Sequence, residues 1–446
     1  MSKSRTMMSG FAALALSLSF GGSAYAADAS DLGGSLTPIG AERAGNAAGT
    51  IPAWEGGDVA PVAGWSQGDP RVDKYASDAK LFSIDASNVD QYADKLSEGQ
   101  IALVKRYDGY RMDVYPTRRT CGYSQAIYDA TKANVGVAKL SAQGGILAGH
   151  GGFLFPIPET GAQVIANYRS AFQGKAAEHV VSMAVVQTDG SYNLGTGVVQ
   201  TYSPFFDEGS AMGSYMSALI YRQLAPAASV GAMLLTVSPY DGSNETWGYI
   251  PGLRRVKKAP TGNYDNPVPG QDGLRTFDQT FMFNGLSDRY DWKLAGKKEL
   301  YIPYNATRYR EAGMTVDKIM GKKYPNRDLT RYELHRVWVL EATAKPEYRS
   351  TFSRRVFYLD EDTWTIVAAD LYDGKGKLWR VEENHLFMAS EIPACVTGAD
   401  FYFDLNADRY LADNLILGKG NENYRAEATV NSDMFSPDAL RRGGRR

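Results

Sequence analysis

The sequence predicts an α+β fold of half-barrel type, one large antiparallel sheet with helices grouped before and beside it. Three observations carry this expectation. The 446 residues include 28 Tyr, 17 Phe and 7 Trp against only 22% charged residues, a balance that suits strands facing a large apolar interior. From about residue 179 onward, segments of alternating apolar and polar character recur with Gly-containing turns between them. No alternation of strand and helix of the βαβ kind is present, which argues against a doubly wound nucleotide-binding sheet.

The N-terminal residues set the compartment. Lys3 and Arg5 precede the apolar run FAALALSLSF, and small residues follow up to SAYA. This is the pattern of a secretory signal peptide, residues 1–26, with Ala24 and Ala26 at the small-residue positions and cleavage expected after Ala26. No cysteine stands beside that point to carry an acyl anchor. No later segment has the roughly 18 uninterrupted apolar residues that a membrane span needs. The formal charge of −2 becomes more negative by two once Lys3 and Arg5 are removed, and without a basic face nucleic acid is not expected as a partner. In an oxidising compartment, Cys121 and Cys395 favour a disulfide over two buried thiols.

Residues 27–80, rich in Gly, Ala, Pro and Asp, read as an extended arm outside the core, pinned to the body by Trp54 and Trp65. Ser87 or Asn88 can cap a helix carrying Val89, Tyr92, Leu96, Leu103 and Tyr107 on one side. SQAIYDATKANVGVAKL, from Ser124, reads as a second helix. AMGSYMSALIYRQLAPAA reads as a third that stops near Pro226. Between the second and third, Pro156 and Pro158 hold a loop extended, Phe153, Leu154 and Phe155 can meet an apolar surface, and Thr160-Gly161 turns the chain into helix-like AQVIANYRSAF. The remainder reads as a meander. Strand pairs are expected around Asp189-Gly190, Asp241-Gly242 and Ala295-Gly296, followed by the alternating segment RYELHRVWVLEATA. Three strands are then joined by Asp360 to Thr363 and by Asp373 to Gly376. Residues 421–446 lose hydrophobic pattern and end in RRGGRR, which reads as a solvated tail, disordered over 436–446.

No catalytic motif in the sequence is complete. His150-Gly151-Gly152 has the look of an esterase oxyanion loop, but no G-x-S-x-G elbow accompanies it; around Ser210 the glycine positions hold Glu208 and Met212. GHGGFLFPIPETG lacks the spacing and the lysine of a phosphate cradle. His150, His179, His335 and His385 are scattered, without H-E-x-x-H or C-x-x-C, so no metal and no cofactor are expected. His335 and His385 fall in strand patterns, where a hydrogen-bonded structural role is the simpler reading. With 50 acidic residues, no carboxylate pair can be singled out for glycoside chemistry by spacing.

GGFLFPIPETGAQVIANYRSAFQG resembles the signature of the proteobacterial secreted family called domain of unknown function 1329, with a G-G-x-P-F-P-x-P-x-x-G run ahead of a Trp-Asn pair. The resemblance continues in ETWGYIPGLRRVKKAP and RRVFYLDEDTWTIVAADLYDGKGKLWR, and covers the mature chain. Leu154 stands where the family often has proline, and Ala166 where tryptophan precedes Asn167. The latter two stretches also resemble the periplasmic lipoprotein carriers LolA and LolB. That resemblance implies a half-open antiparallel β-barrel over residues 81–435, with helices as plug or lid and a cavity for acyl chains. The resemblance to the domain of unknown function 1329 family implies a non-enzymatic protein working beside outer-membrane and efflux-type transport proteins, and with the signal-peptide pattern a periplasmic one.

The sequence therefore points to a carrier of a hydrophobic small molecule or lipid. An acyl chain gains about 0.8 kcal/mol per buried methylene, so such a protein needs an apolar wall and no catalytic residue. Alternating strand positions offer Trp247 with Tyr249, Trp338 with Leu340, Phe357 with Leu359, and Trp379 as that wall, while Phe153, Leu154, Phe155, Pro156 and Pro158 form its plug or rim. The alternative is an envelope docking protein whose barrel is filled by its own side chains, and an unrecognised hydrolase comes third.

Overall fold

The computed structural model describes residues 28–207, 215–260, 262–418, 424–426, 430 and 432–444; the expected leader and the cleavage point expected after Ala26 lie outside the described residues. In chain order the strands are β1 (Phe82–Ile84), β2 (Met112–Val114), β3 (Lys139–Leu140), β4 (Ile146–Ala148), β5 (Ala176–Val186) and β6 (Tyr192–Tyr202). They continue with β7 (Ser217–Ala225), β8 (Met233–Ser238), β9 (Glu245–Ile250), β10 (Arg255–Lys258), β11 (Tyr290–Pro303) and β12 (Tyr332–Ala344). The last are β13 (Arg354–Asp360), β14 (Ile366–Tyr372), β15 (Leu378–Ala389), β16 (Ala394–Asp404), β17 (Arg409–Leu415) and β18 (Tyr424–Ala426). The helices are α1 (Glu98–Arg106), α2 (Gln125–Asn134), α3 (Gly161–Arg169), α4 (Val316–Ile319) and α5 (Pro437–Gly443).

All strands but the β3–β4 ribbon join one 16-stranded sheet in the order β1-β2-β12-β13-β14-β15-β16-β17-β5-β6-β7-β8-β9-β10, with β11 also on β12 and β18 on β5. Apart from a parallel bridge between β2 and β12, every pairing between the described strands is antiparallel, and the two ends of the path do not meet. The architecture is the expected α+β half-open barrel. Both faces of its central strands are covered. On one face α3 packs with Phe153, Leu340, Phe357, Leu359 and Phe387. On the other, α1 and residues 301–334 pack on Val381, Phe401, Phe403 and Tyr410.

Several elements depart from the sequence reading. The first helix is broken: a 3-10 turn over Val89–Lys95 ends, and Ser97 starts α1 through a capping box with Gln100. The second stops at Asn134 and β3 follows. The third expected helix is instead strand β7, at least over its described part from Tyr215, because Ala218 and Ile220 alternate onto a buried sheet face. Ala295-Gly296 is no hairpin turn; β11 runs 14 residues along β12 with a bulge there, and Gly296 takes the φ of +114° that the bulge needs. The arm carries little regular structure, yet Ile39 and Ile51 are core residues and the Trp364 indole donates to the Ile39 carbonyl at 2.9 Å. Trp54 does pin it, donating to the Cys121 carbonyl at 3.0 Å. The solvated tail gives way to α5, capped by Ser436 and burying Leu440. Cys121 and Cys395 are bonded across 274 residues.

Candidate functional site

The seven expected wall residues do not share one cavity. Leu340, Phe357 and Leu359 are wholly buried in closed core; Phe283 and Trp292 pack on Phe357 with ring centroids 5.9 Å away. Trp338 stacks on Trp364 at 5.6 Å under the Lys297 ammonium. The Trp379 indole donates to Asp404 at 3.0 Å. Residues 264–292 and α3 supply the side chains that fill the space in front of these strands. The expected rim is likewise a wedge: Phe153 and Leu154 are buried, and the Asn167 amide clamps Phe155 by accepting from its N–H at 2.8 Å and donating to its carbonyl at 2.7 Å.

The filling is partly ionic. Residues 271–279 reach the sheet through Arg275 to Asp413 (2.5 Å), Asp278 to Arg355 (2.9 Å) and Gln279 to Glu382 (2.6 Å). Arg380 adds bonds to Asp404 (3.2 Å) and to the Leu274 carbonyl (2.9 Å). Burial pushes the Glu382 carboxyl up to about 7 and that of Asp400 well above the carboxylate range. On the opposite face Asp370 caps α1 through the Gly99 N–H and the Ser97 hydroxyl, both at 3.0 Å, and burial lifts it to about 6. These groups are arranged as ties between segments. A separate cluster, His335 with Asp360 and Asp362, brings potential metal ligands within 4.8 Å of one another.

Space is found at the other end of the sheet. The register pairs Leu235 with Trp247, Met233 with Tyr249 and Tyr249 with Val256, so one face of β8–β10 is apolar and aromatic, with Lys258 beside Trp247 at its margin. The C-terminal segment lies across it, burying Phe435 and Leu440 against Ile220, Leu235 and Tyr249. Between α5 and β10 an open groove of about 590 Å³ remains, lined by Trp247, Leu253 and Val256 with the cations Arg254, Arg255, Lys258 and Arg441 and one acid, Asp438. Lys258 pairs with Glu245 and sits 5.4 Å above the Trp247 ring, and Arg441 pairs with Asp438 at 3.0 Å. Arg254 and Arg255 make no ion pair with a described residue, which leaves the groove a net anion attractor.

Of the sequence candidates, Trp247 lines this groove and Tyr249 lies beneath its α5 side. Arg254, Arg255 and Lys258 stood in the motif GLRRVKKAP without being singled out. Arg441 falls within residues 436–446, which the sequence reads as a disordered tail.

The sequence profile described as Protein of unknown function (DUF1329) matches residues 83–441. An uncharacterized protein of Pseudomonas aeruginosa is 40% identical over 433 residues, covering 94% of this chain and 93% of its own length. Among solved structures, a DUF1329 family protein from Desulfovibrio piger aligns with a TM-score of 0.44 at 15% identity, over 63% of this chain and 97% of its own. A LolA superfamily protein from Nitrosomonas europaea aligns at 0.38 and 11%, over 63% of this chain and all of its own.

Proposed function

We propose that this chain, which belongs to the DUF1329 family, is an exported, non-enzymatic carrier that holds an anionic amphiphile in the groove between β10 and α5. The observation that carries this reading is the combination in one groove of an aromatic floor, Trp247, with the cations Arg254, Arg255, Lys258 and Arg441. The floor continues into the apolar face of β8–β9, which the C-terminal segment covers. An anionic head would meet the arginines, whose planar forks suit phosphate and carboxylate. The adjoining tail would leave water on Trp247, Leu253 and Val256. The hydrophobic ligand read from the sequence is thereby moved from the barrel interior to the sheet edge, and gains a charge.

The test is mass spectrometry of lipids extracted from protein purified from the periplasm without detergent. One dominant class of anionic lipid, reduced in Arg254→Glu/Arg255→Glu protein, supports the carrier. Absence of any stoichiometric lipid, with no binding of added anionic amphiphile, contradicts it. A second reading, docking on an outer-membrane or efflux-type transport partner, is favoured by the filled faces of the central strands; it predicts partner capture without lipid.

A further inference from the structure

We propose that His335, Asp360 and Asp362 form a buried site for one divalent first-row metal ion. His335 lies on β12, Asp360 at the end of β13, and Asp362 in the turn beyond it; all three are nearly inaccessible, at 1%, 0% and 3% exposure. The tautomer of His335 follows from its neighbour. Glu333 accepts from the Arg331 Nε at 2.6 Å, the Asn305 amide at 2.9 Å and the Arg118 N–H at 2.6 Å, so it is an ionised acceptor. The His335 Nε2, 3.3 Å from the same carboxylate, must then carry the proton and donate. Its Nδ1 faces Asp360.

Asp360 Oδ2 accepts from the Thr363 hydroxyl at 2.9 Å, whereas its Oδ1 is buried without a hydrogen-bond partner among the described residues and lies 3.9 Å from His335 Nδ1. That separation is too wide for a hydrogen bond, since N–H···O bonds span roughly 2.7–3.2 Å. A metal ion would fit it: with bonds of about 2.0–2.2 Å, two ligands of one ion stand about 3–4 Å apart. The third carboxylate, Asp362, is held by the Arg119 fork at 2.8 and 2.6 Å and keeps lone pairs to offer. A carboxylate that fixes the far nitrogen of a ligating histidine, as Glu333 does, is the usual outer shell of such a site. The ring is fixed further by Tyr304, stacked on it at 3.9 Å between centroids. One imidazole with two carboxylates suits Zn²⁺, Mn²⁺ or Fe²⁺ better than Ca²⁺. Residues 335, 360 and 362 have no metal-motif spacing, which is why the sequence predicted none; the register of β12 on β13 brings them together.

The experiment uses untagged full-length mature protein, stripped with EDTA, desalted, and titrated with Zn²⁺ and separately with Mn²⁺. Metal content per chain and melting temperature are read before and after. The expected result is one equivalent bound, a higher melting temperature that EDTA reverses, and X-ray absorption showing a single imidazole among oxygen ligands. Asp360→Asn should weaken binding by about 100-fold or more, and Glu333→Gln, which leaves every ligand in place, by about 10–100-fold. If Asp360→Asn does not fold, the Glu333→Gln titration and the wild-type spectrum decide. No stoichiometric metal in the wild type, or binding indifferent to Glu333→Gln with a different ligand set, overturns the assignment.

Discussion

The hydroxyl of Tyr249 donates to the main-chain carbonyl of Gly444 at 2.7 Å, tying β9 to the end of the C-terminal segment 195 residues further on. With Phe435 stacked on Tyr202 at 6.0 Å and Leu440 buried, the segment is a cover over an apolar sheet face and one wall of the groove.

Removing that cover should be a local event. Truncation after residue 434 is expected to leave far-UV circular dichroism close to native and to raise binding of an apolar dye, since Met233, Leu235 and Tyr249 lose their shield. Leu440→Ala should have a weaker effect in the same direction, within the roughly 2–5 kcal/mol of a buried leucine truncation. Native-state hydrogen exchange of β9 and β10 amides separates local opening from global unfolding.

Loss of the Cys121–Cys395 bond acts on the whole chain. It closes a loop of 274 residues in the unfolded state, and Cys121→Ser/Cys395→Ser should cost about 2–4 kcal/mol. Peptide mapping without reduction checks the bond, and urea denaturation of both proteins checks the magnitude.

The interior carboxylate gives a pH test with a definite sign. Burial holds Glu382 protonated up to about 7 in the folded chain, against 4.5 in the unfolded one. The folded state therefore binds the extra proton between those values, and the stability linked to it is present below about 4.5 and lost as pH rises through 7. Buried His179 and His385 are shifted downward and titrate in the opposite sense, so the readout is a difference between proteins. Glu382→Gln should gain on wild type by on the order of 2 kcal/mol between pH 5 and pH 7.5. A constant difference across that range would refute the shift.

Substitutions in the central core should separate fold from binding. Phe357→Ala is expected to cost about 3–5 kcal/mol with no change in groove affinity per folded molecule. Trp338→Asp should be destabilising as well, because its ring is stacked on Trp364. Ligand titration of the folded fraction distinguishes these from Trp247→Ala, which should lose affinity and retain stability.

The strands from β12 to β15 were legible because Asp360–Thr363 and Asp373–Gly376 are turns set between alternating apolar runs. The cysteine pair was legible from the expected export and the even count. The Ser97-x-x-Gln100 capping box and the Ser436-Pro437-Asp438 helix start were also written in the sequence, but the longer pattern around the first and the basic end after the second masked them. Residues 217–225 failed because a short run of Ala, Leu and Ile fits a buried helix as well as a strand. The groove was half legible: alternation marked Trp247, while its facing residues, Pro437 and Arg441, come from the far end of the chain. Arg275, Arg355 and Arg380 were invisible as core, since a charged residue is read as surface until a buried partner is known.

Calorimetric titration of the mature protein with lysophosphatidylglycerol below its micelle concentration tests the central claim most directly, with the zwitterionic choline analogue as control. The groove account predicts saturable one-to-one binding, preference for the anionic head that falls with added salt, and at least about a tenfold loss in each of Arg254→Glu, Arg255→Glu and Trp247→Ala, which corresponds to about 1.4 kcal/mol. Equal affinity for both heads, or anionic binding unchanged by all three substitutions, would contradict it.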